Sequence, residues 1–258
     1  MKKEILQGTI LSNTPLNESY YQLEVALPTP WEEVNPGQFV QLLARESGAF
    51  LRRPISICDY NAAPAKLFLL IQQVGKGSRY WATLKTGSTL DIVGPLGHGF
   101  TCTPHFAGPK PLLVGGGVGI APLLYLGKQL LRNGIVPSFL LGGRTRLLLV
   151  LQEQFEALGG DVFYTTEDGS LGEKGFVTDH SICTHPSYSS VYTCGPLPMM
   201  QNVTKWAHIH EIPSEVSLEN RMACGIGACL CCVEDTQEGN KCICTEGPVF
   251  RTEQLRWL

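Results

Sequence analysis

No stretch of this chain approaches the roughly 18 consecutive apolar residues that a membrane span needs. Apolar runs such as Leu147 to Leu151 are far shorter. The N-terminus, MKKEILQGTILSN, also lacks an apolar run of signal-peptide length, which points to a reducing, cytoplasmic setting. Basic residues form no run and the net charge is only −3, so nothing in the charge pattern calls for a nucleic acid. Internal repeats and low-complexity tracts are missing as well. Histidine is sparse: His98, His105, His180, His185, His208 and His210 are scattered, with no general acid–base constellation for a carbon substrate. His208 and His210 are expected to be simply solvated.

What remains is a chain of 258 residues, 43% apolar and 17% charged, long enough for two ordinary domains and a small third module. Its conspicuous feature is ten cysteines. Cys224, Cys229 and Cys232 stand at C-x4-C-x2-C spacing with Cys244 downstream, the plant-type ligand pattern of a [2Fe–2S] cluster. Gly225 and Gly227 lie between the first two, where the backbone must curl tightly and bring N–H groups toward sulfur.

Plainer readings stand beside this one. A structural zinc site more often shows paired C-x2-C knuckles. Disulfides suit the even cysteine count but not a reducing compartment. Cys231 and Cys242 each lie beside a proposed ligand and are set aside as bystanders, with their substitution for Cys232 or Cys244 left open. Cys58, Cys102 and Cys183 are expected to be small buried hydrophobes.

Over the first hundred residues, short β-rich runs alternate with turn signals: Tyr20 to Leu27, Gln38 to Ala44, Ile55 to Cys58, Lys66 to Val74 and Thr89 to Val93. That spacing predicts a small antiparallel barrel over residues 1–103. After a proline-punctuated linker, Pro104 to Pro111, the pattern becomes strand, glycine turn, helix and strand. LLVGGGVGIAP leads into a helical stretch, Leu123 to Leu131, and then a strand, Val136 to Leu141. A further strand, Val191 to Thr193, runs into CGPLPMM and a helix ending near His210. This is βαβ grammar and predicts a doubly wound parallel sheet over 104–214, followed by a cluster module over 215–258.

Gly115, Gly116, Gly117 and Gly119 lie at the strand–helix junction, where a pyrophosphate can approach the main chain and a helix N-terminus supplies free donors. Ile120 stands where G-x-G-x-x-G/A has its third small residue, so a glycine turn needed only for packing is the alternative. Pro122 suits the first turn of the helix.

Together, Arg53-Pro54-Ile55-Ser56, Gly75-Lys76-Gly77-Ser78, GGGVGIAP and Cys194-Gly195-Pro196 resemble the ferredoxin reductase superfamily. With CGIGAC and CTEGPVF added, the chain resembles the electron-transfer subunits of class 1B dihydroorotate dehydrogenase. The resemblance runs from the first strand to Phe250.

The resemblance implies an FAD-binding barrel, an NAD-binding domain and a [2Fe–2S] module. Arg53 then contacts an FAD phosphate through its planar fork, and Ser56 donates to the same phosphate or to the flavin. Leu70, Ile71 and Gln72 hold the flavin by main chain, and Gly77 with Ser78 supplies a glycine–hydroxyl pair. A surface ion pair is the plain alternative for Arg53, and a helix cap for Gly77 and Ser78. Cys194 is implied as the catalytic-pocket residue beside the nicotinamide, the alternative being a buried thiol. Thr166 and Asp168 resemble a loop on the dinucleotide side and are given no chemistry. Gly142, Gly143 and Arg144 leave NAD against NADP open on residues alone, and NAD rests on the resemblance.

The resemblance further implies a partner subunit that contains FMN and oxidises dihydroorotate, in a heterotetramer of two of each, with electrons leaving to NAD+. A flavin is needed because a nicotinamide exchanges electron pairs and a [2Fe–2S] cluster single electrons. Two other readings stay open: a subunit of an NADH-dependent ferredoxin:NADP+ oxidoreductase or sulfide dehydrogenase, and a non-enzymatic iron–sulfur redox sensor, which the RPIS segment disfavours.

Overall fold

The computed structural model describes residues 3–258. Seven strands form the first sheet: β1 (Glu4–Pro15), β2 (Tyr20–Ala26), β3 (Phe39–Leu43), β4 (Arg53–Ser56), β5 (Asp59–Asn61), β6 (Lys66–Gln72) and β7 (Thr89–Leu96), with α1 (Lys76–Ala82) between the last two. All pairings are antiparallel, in the order β4-β3-β7-β1-β2-β6-β5. The sheet curls until its two edges are one run of chain, for only Ile57 and Cys58 separate β4 from β5. Alternation sets the inner face: Tyr21, Leu23 and Val25 of β2 are buried together with Val40, Leu42, Leu67 and Leu69. The expected barrel is present as this curled sheet. Its longest strand, β1, was not anticipated, because in EILQGTIL the buried Leu6 and Ile10 are offset by an exposed Ile5 and by Gly8.

After α2 (Pro104–Ala107), a short helix where a bare linker was expected, come β8 (Pro111–Gly116), α3 (Ile120–Arg132), β9 (Ser138–Gly143), α4 (Gln152–Glu156), β10 (Val162–Thr166), β11 (Glu173–Lys174), β12 (Ser190–Cys194), α5 (Leu197–Ile209) and β13 (Ser214–Ser217). Then follow β14 (Val233–Thr236), β15 (Gly239–Cys242), α6 (Ile243–Glu246) and β16 (Val249–Arg251). The second sheet runs β11-β10-β9-β8-β12-β13-β16, parallel except where β16 joins β13. β8 is buried along its whole length, as a central strand covered on both faces must be. Leu113, Phe139 and Leu141 face α3, whereas Leu112, Val114, Leu140 and Val191 face α5. The sheet is thus wound on both sides, and its strand order reverses between β8 and β12.

α3 ends in a Schellman turn: Gly134, at φ 76°, donates to Leu131 and Ile135 donates to Leu130. The same helix ties the two halves together. Tyr125 is buried in the interior of the first sheet with its hydroxyl donating to the Val34 carbonyl at 2.9 Å, and Lys128 pairs with Asp59 of β5 at 2.6 Å. The segment after Glu215 begins and ends on the edge of the second sheet, through β13 and β16, and carries the β14–β15 hairpin between them.

Removing the Tyr125 hydroxyl leaves the Val34 carbonyl without its donor. Tyr125→Phe is therefore expected to lower unfolding stability by about 1 kcal/mol, and Tyr125→Ala by about 3–5 kcal/mol. Denaturant titration of the two variants measures both.

Candidate functional site: a flavin-sized cavity beside a cysteine loop

A cavity of about 470 Å³ opens where the two sheets meet. Its walls include Pro54, Ile55 and Ser56 of β4, Leu70, Ile71 and Gln72 of β6, Val118 just before α3 and Ala121 in its first turn, and Ser217 at the end of β13 with Leu218 to Met222 beyond it. Three separate sequence motifs thus share one hollow. The last segment was not among the predicted site residues. Its only sequence signal is position, since SLENRM leads straight into the first cysteine of the cluster pattern.

Two neighbouring arginines diverge where the chain enters β4. Arg52 is spent on an ion pair with Asp91 at 2.6 Å and on main-chain carbonyls. Asp91 loses hydration there, the largest single effect on it, yet hydrogen bonds from Arg52 and Gln7 together with the Arg52 and Arg45 charges outweigh that loss and hold its carboxyl below the ordinary range. Arg53 is exposed, donates only to the carbonyls of Leu51 and Arg52, and pairs with no carboxylate among the described residues. Gly77 lies beside it, for a Cβ built there would stand 3.9 Å from Arg53 Cγ. The Ser78 hydroxyl accepts from the N–H groups of Val74 and Gly75, both at 3.0 Å, and so fastens the turn that enters α1.

The four glycines sit at the reversal point of the second sheet. A side chain on Gly119 would meet the Cys194 carbonyl at 2.5 Å, and one on Gly116 would meet Met199 Sδ at the same distance. Gly117 is at φ 56° and faces open space apart from Tyr20. The glycine turn and Cys194-Gly195 are therefore pressed together at the ends of β8 and β12. Cys194 itself is buried at the end of β12 and lies outside the cavity wall. Burial, with the Glu219 charge nearby, pushes its thiol well above the ordinary range, so the group stays protonated.

Glu219 lines the cavity and is crowded by protein atoms, and the loss of hydration raises its carboxyl pKa. Asn220, also in the wall, donates to Glu234 of the hairpin at 2.9 Å. At the end of β9, Arg144 is exposed, while Thr166 and Asp168 are used within their own loop, bonded to Leu171 and Ser170.

The cysteine loop lies beyond Met222. Gly225 and Gly227 adopt φ 72° and 87°, and side chains there would strike Gln41 of β3 at 2.7 Å and Thr245 at 2.9 Å. Only glycine passes between these two walls in this conformation. The four cysteines of the cluster pattern form two pairs: Cys224 with Cys229, and Cys232 with Cys244. Ile243 N donates to the Cys232 carbonyl at 3.1 Å and so clamps the two cysteine segments together.

Burial opposes ionisation of Cys224, but N–H groups of Ile226, Ala228 and Cys229 with the Cys229 thiol draw its pKa down to about 6. Burial pushes Cys244 up to about 12, with an N–H of Gly227 acting against it. Among the described residues no three His, Cys, Asp or Glu side chains gather about a single ion. Two thiol pairs fed by main-chain donors fit a centre with two irons, each taking two thiolates. Cys242 lies within electrostatic reach of Cys232, Cys224 and Cys229 without joining either pair, and Cys231 is exposed.

Comparison with known proteins agrees with this geometry. Residues 219–256 match the family described as the iron–sulfur cluster binding domain of dihydroorotate dehydrogenase B, and residues 113–205 the oxidoreductase NAD-binding domain. The chain is 37% identical over 250 residues to the dihydroorotate dehydrogenase B (NAD(+)) electron transfer subunit of Listeria monocytogenes serotype 4a, covering 95% of this chain and 96% of that one. The subunit of the same description from Bacillus cereus strain Q1 is 38% identical, at 93% and 94% coverage. Among solved structures, an NADH-dependent reduced ferredoxin-NADP oxidoreductase superimposes with a TM-score of 0.86 at 31% identity, covering 97% of this chain and 90% of that one. The Amycolatopsis cytochrome P450 reductase GcoB, at 23% identity and a TM-score of 0.72 over 81% of this chain and 67% of that one, shares the fold.

Because Gly119 has no room for a Cβ, Gly119→Ala is expected to force the β8 and β12 turns apart and destabilise the chain by about 1–3 kcal/mol. Gly117→Ala, where space is open, is expected to cost only the left-handed backbone, about 1–2 kcal/mol, and to leave the turns in place. Thermal unfolding with proteolytic mapping of residues 115–119 and 194–196 distinguishes the two.

Proposed function

The chain belongs to the family of dihydroorotate dehydrogenase B electron transfer subunits, and we propose that it links a catalytic partner to NAD+ in the same way. The observation that carries the reading is one continuous site, a flavin-sized cavity whose C-terminal wall runs directly into the paired-thiol loop. When bound there, a flavin and a [2Fe–2S] cluster supply the exchange between electron pairs and single electrons that the linkage needs.

The chain's own residues bind and orient. Arg53, free of any carboxylate, meets an FAD phosphate, with Gly77 and the Ser78 turn beside it. Pro54, Ile55, Ser56, Leu70, Ile71 and Gln72 hold the ring system in the cavity. Gly115, Gly116, Gly117 and Gly119 receive the dinucleotide pyrophosphate at the strand-order reversal. Cys194 shapes the nicotinamide pocket from behind as a neutral thiol; no proton passes through it. Cys224, Cys229, Cys232 and Cys244 hold the cluster. The partner is an FMN-containing catalytic subunit in an assembly of two of each, in the cytoplasm, where ten free thiols stay reduced.

A second reading has its own support. The superposition on the ferredoxin-NADP oxidoreductase makes a subunit of such an enzyme the alternative, and the protein that co-purifies from native cells separates the two.

Anaerobically purified protein is expected to be brown, with about one FAD and two irons per chain. Cys224→Ser, Cys229→Ser, Cys232→Ser and Cys244→Ser are expected to lose the cluster absorption, while Cys231→Ser and Cys242→Ser keep it. Stoichiometric zinc in a colourless protein overturns the cluster assignment, and bleaching by Cys242→Ser but not Cys244→Ser overturns the fourth ligand.

The isolated chain is expected to pass electrons from NADH to artificial acceptors but not to oxidise dihydroorotate. With the FMN-containing partner added, dihydroorotate:NAD+ activity is expected to appear and to fall to background in Cys224→Ser. The NADH:acceptor reaction of the same preparation survives. Coupled activity at the wild-type rate without the cluster contradicts the division of labour.

A further inference from the structure

The carboxamide of Gln41 is fully buried, at 0% exposure, and neither Nε2 nor Oε1 has a hydrogen-bond partner. No other side chain among the described residues has both ends of a polar group in that state. A buried amide with all of its bonding capacity unused is rare in a native interior, because it has given up water and received nothing in return. Such a group marks a place where something else belongs.

Its position says what. On β3 the side chains alternate: Val40 and Leu42 enter the interior of the first sheet, and Phe39 and Gln41 point outward. Phe39 packs there with Cys232, Ile243 and Cys244. Gln41 sits against the other cysteine segment, since a Cβ built on Gly225 would lie 2.7 Å from Nε2 and 2.9 Å from Cδ. Gly225 follows Cys224 directly. Across the sheet Gln41 is in register with Pro54, which lines the cavity, but Gln41 itself does not. The amide therefore lies against the cysteine loop and outside the cavity wall, on a strand whose Phe39 lines that wall.

We infer that Gln41 is a positioning residue of the iron–sulfur site, its side-chain N–H donating a hydrogen bond to a sulfur of the cluster held by the Cys224 loop. The inference rests on the cluster reading above. A donor aimed at a cluster sulfur stabilises the reduced, more negative form and so raises the reduction potential. It also accounts for the glycine at position 225, which leaves the amide room to lie against the loop.

The test begins with iron and sulfide analysis of the wild-type protein. Fewer than two irons per chain defeats the cluster reading and takes this inference with it. With the cluster present, Gln41→Met keeps the length of the side chain and removes the donor. Potentiometric titration followed by EPR is expected to show the cluster midpoint moved to more negative potential and the flavin midpoint unmoved. An unchanged cluster midpoint, or a shift confined to the flavin, overturns the inference.

Should the variant fail to take up iron, the wild-type protein still decides. With glutamine labelled by ¹⁵N at the side-chain amide only, pulsed EPR of the reduced cluster is expected to show a weak ¹⁵N coupling. Its absence overturns the inference whatever the potentials do.

Discussion

The parallel pairing of β13 with β12 is the contact on which the site depends. It carries the chain along the edge of the second sheet and releases it at Ser217, so that the next residues cross the mouth of the cavity formed with the first sheet. β16 then returns antiparallel to β13 and closes the excursion. Anything between these two strands is held at both ends by main-chain hydrogen bonds, and that includes all four cysteines of the cluster pattern. A flavin-sized hollow and a thiol loop become neighbours because one strand feeds both.

Around that contact the molecule keeps charge and burial in deliberate opposition. Cys224 is surrounded by main-chain donors that favour thiolate, whereas Cys244 and Cys194 lie where burial favours thiol. The difference follows from local backbone. Positive φ angles at Gly225 and Gly227 turn successive N–H groups inward, and a regular strand end such as that of Cys194 has its donors already engaged in the sheet. Arg52 and Arg53 show the same economy at the entry to β4: the first pairs with Asp91, and the second is exposed and bonded only to main-chain carbonyls.

Much of this was legible in residue order. Cysteine spacing, the glycine run after an apolar strand and RPIS in a β-rich stretch each encode a local geometry, and local geometry is what neighbouring residues impose on one another. The curled antiparallel sheet follows from short β-rich runs spaced by turn signals, the parallel sheet from the strand–turn–helix pattern, and the cluster module from the cysteine spacing. β1 escaped notice because its apolar pattern is blurred by an outward Ile5 and by a glycine at the inward position 8, and β16 because three residues carry too little pattern to read.

The sequence by itself determined which residues can ligate iron, approach a pyrophosphate or meet a phosphate, since those capacities belong to side-chain chemistry and short-range spacing. Only the tertiary structure decided that Ser217 to Met222 wall the cavity, that Cys194 stands behind it, that the cysteines divide into Cys224 with Cys229 and Cys232 with Cys244, and that Gln41 lies buried against Gly225. The physical reason is distance along the chain. Gln41 and Gly225 are brought together by sheet pairing and packing, and no pattern within either segment records the other.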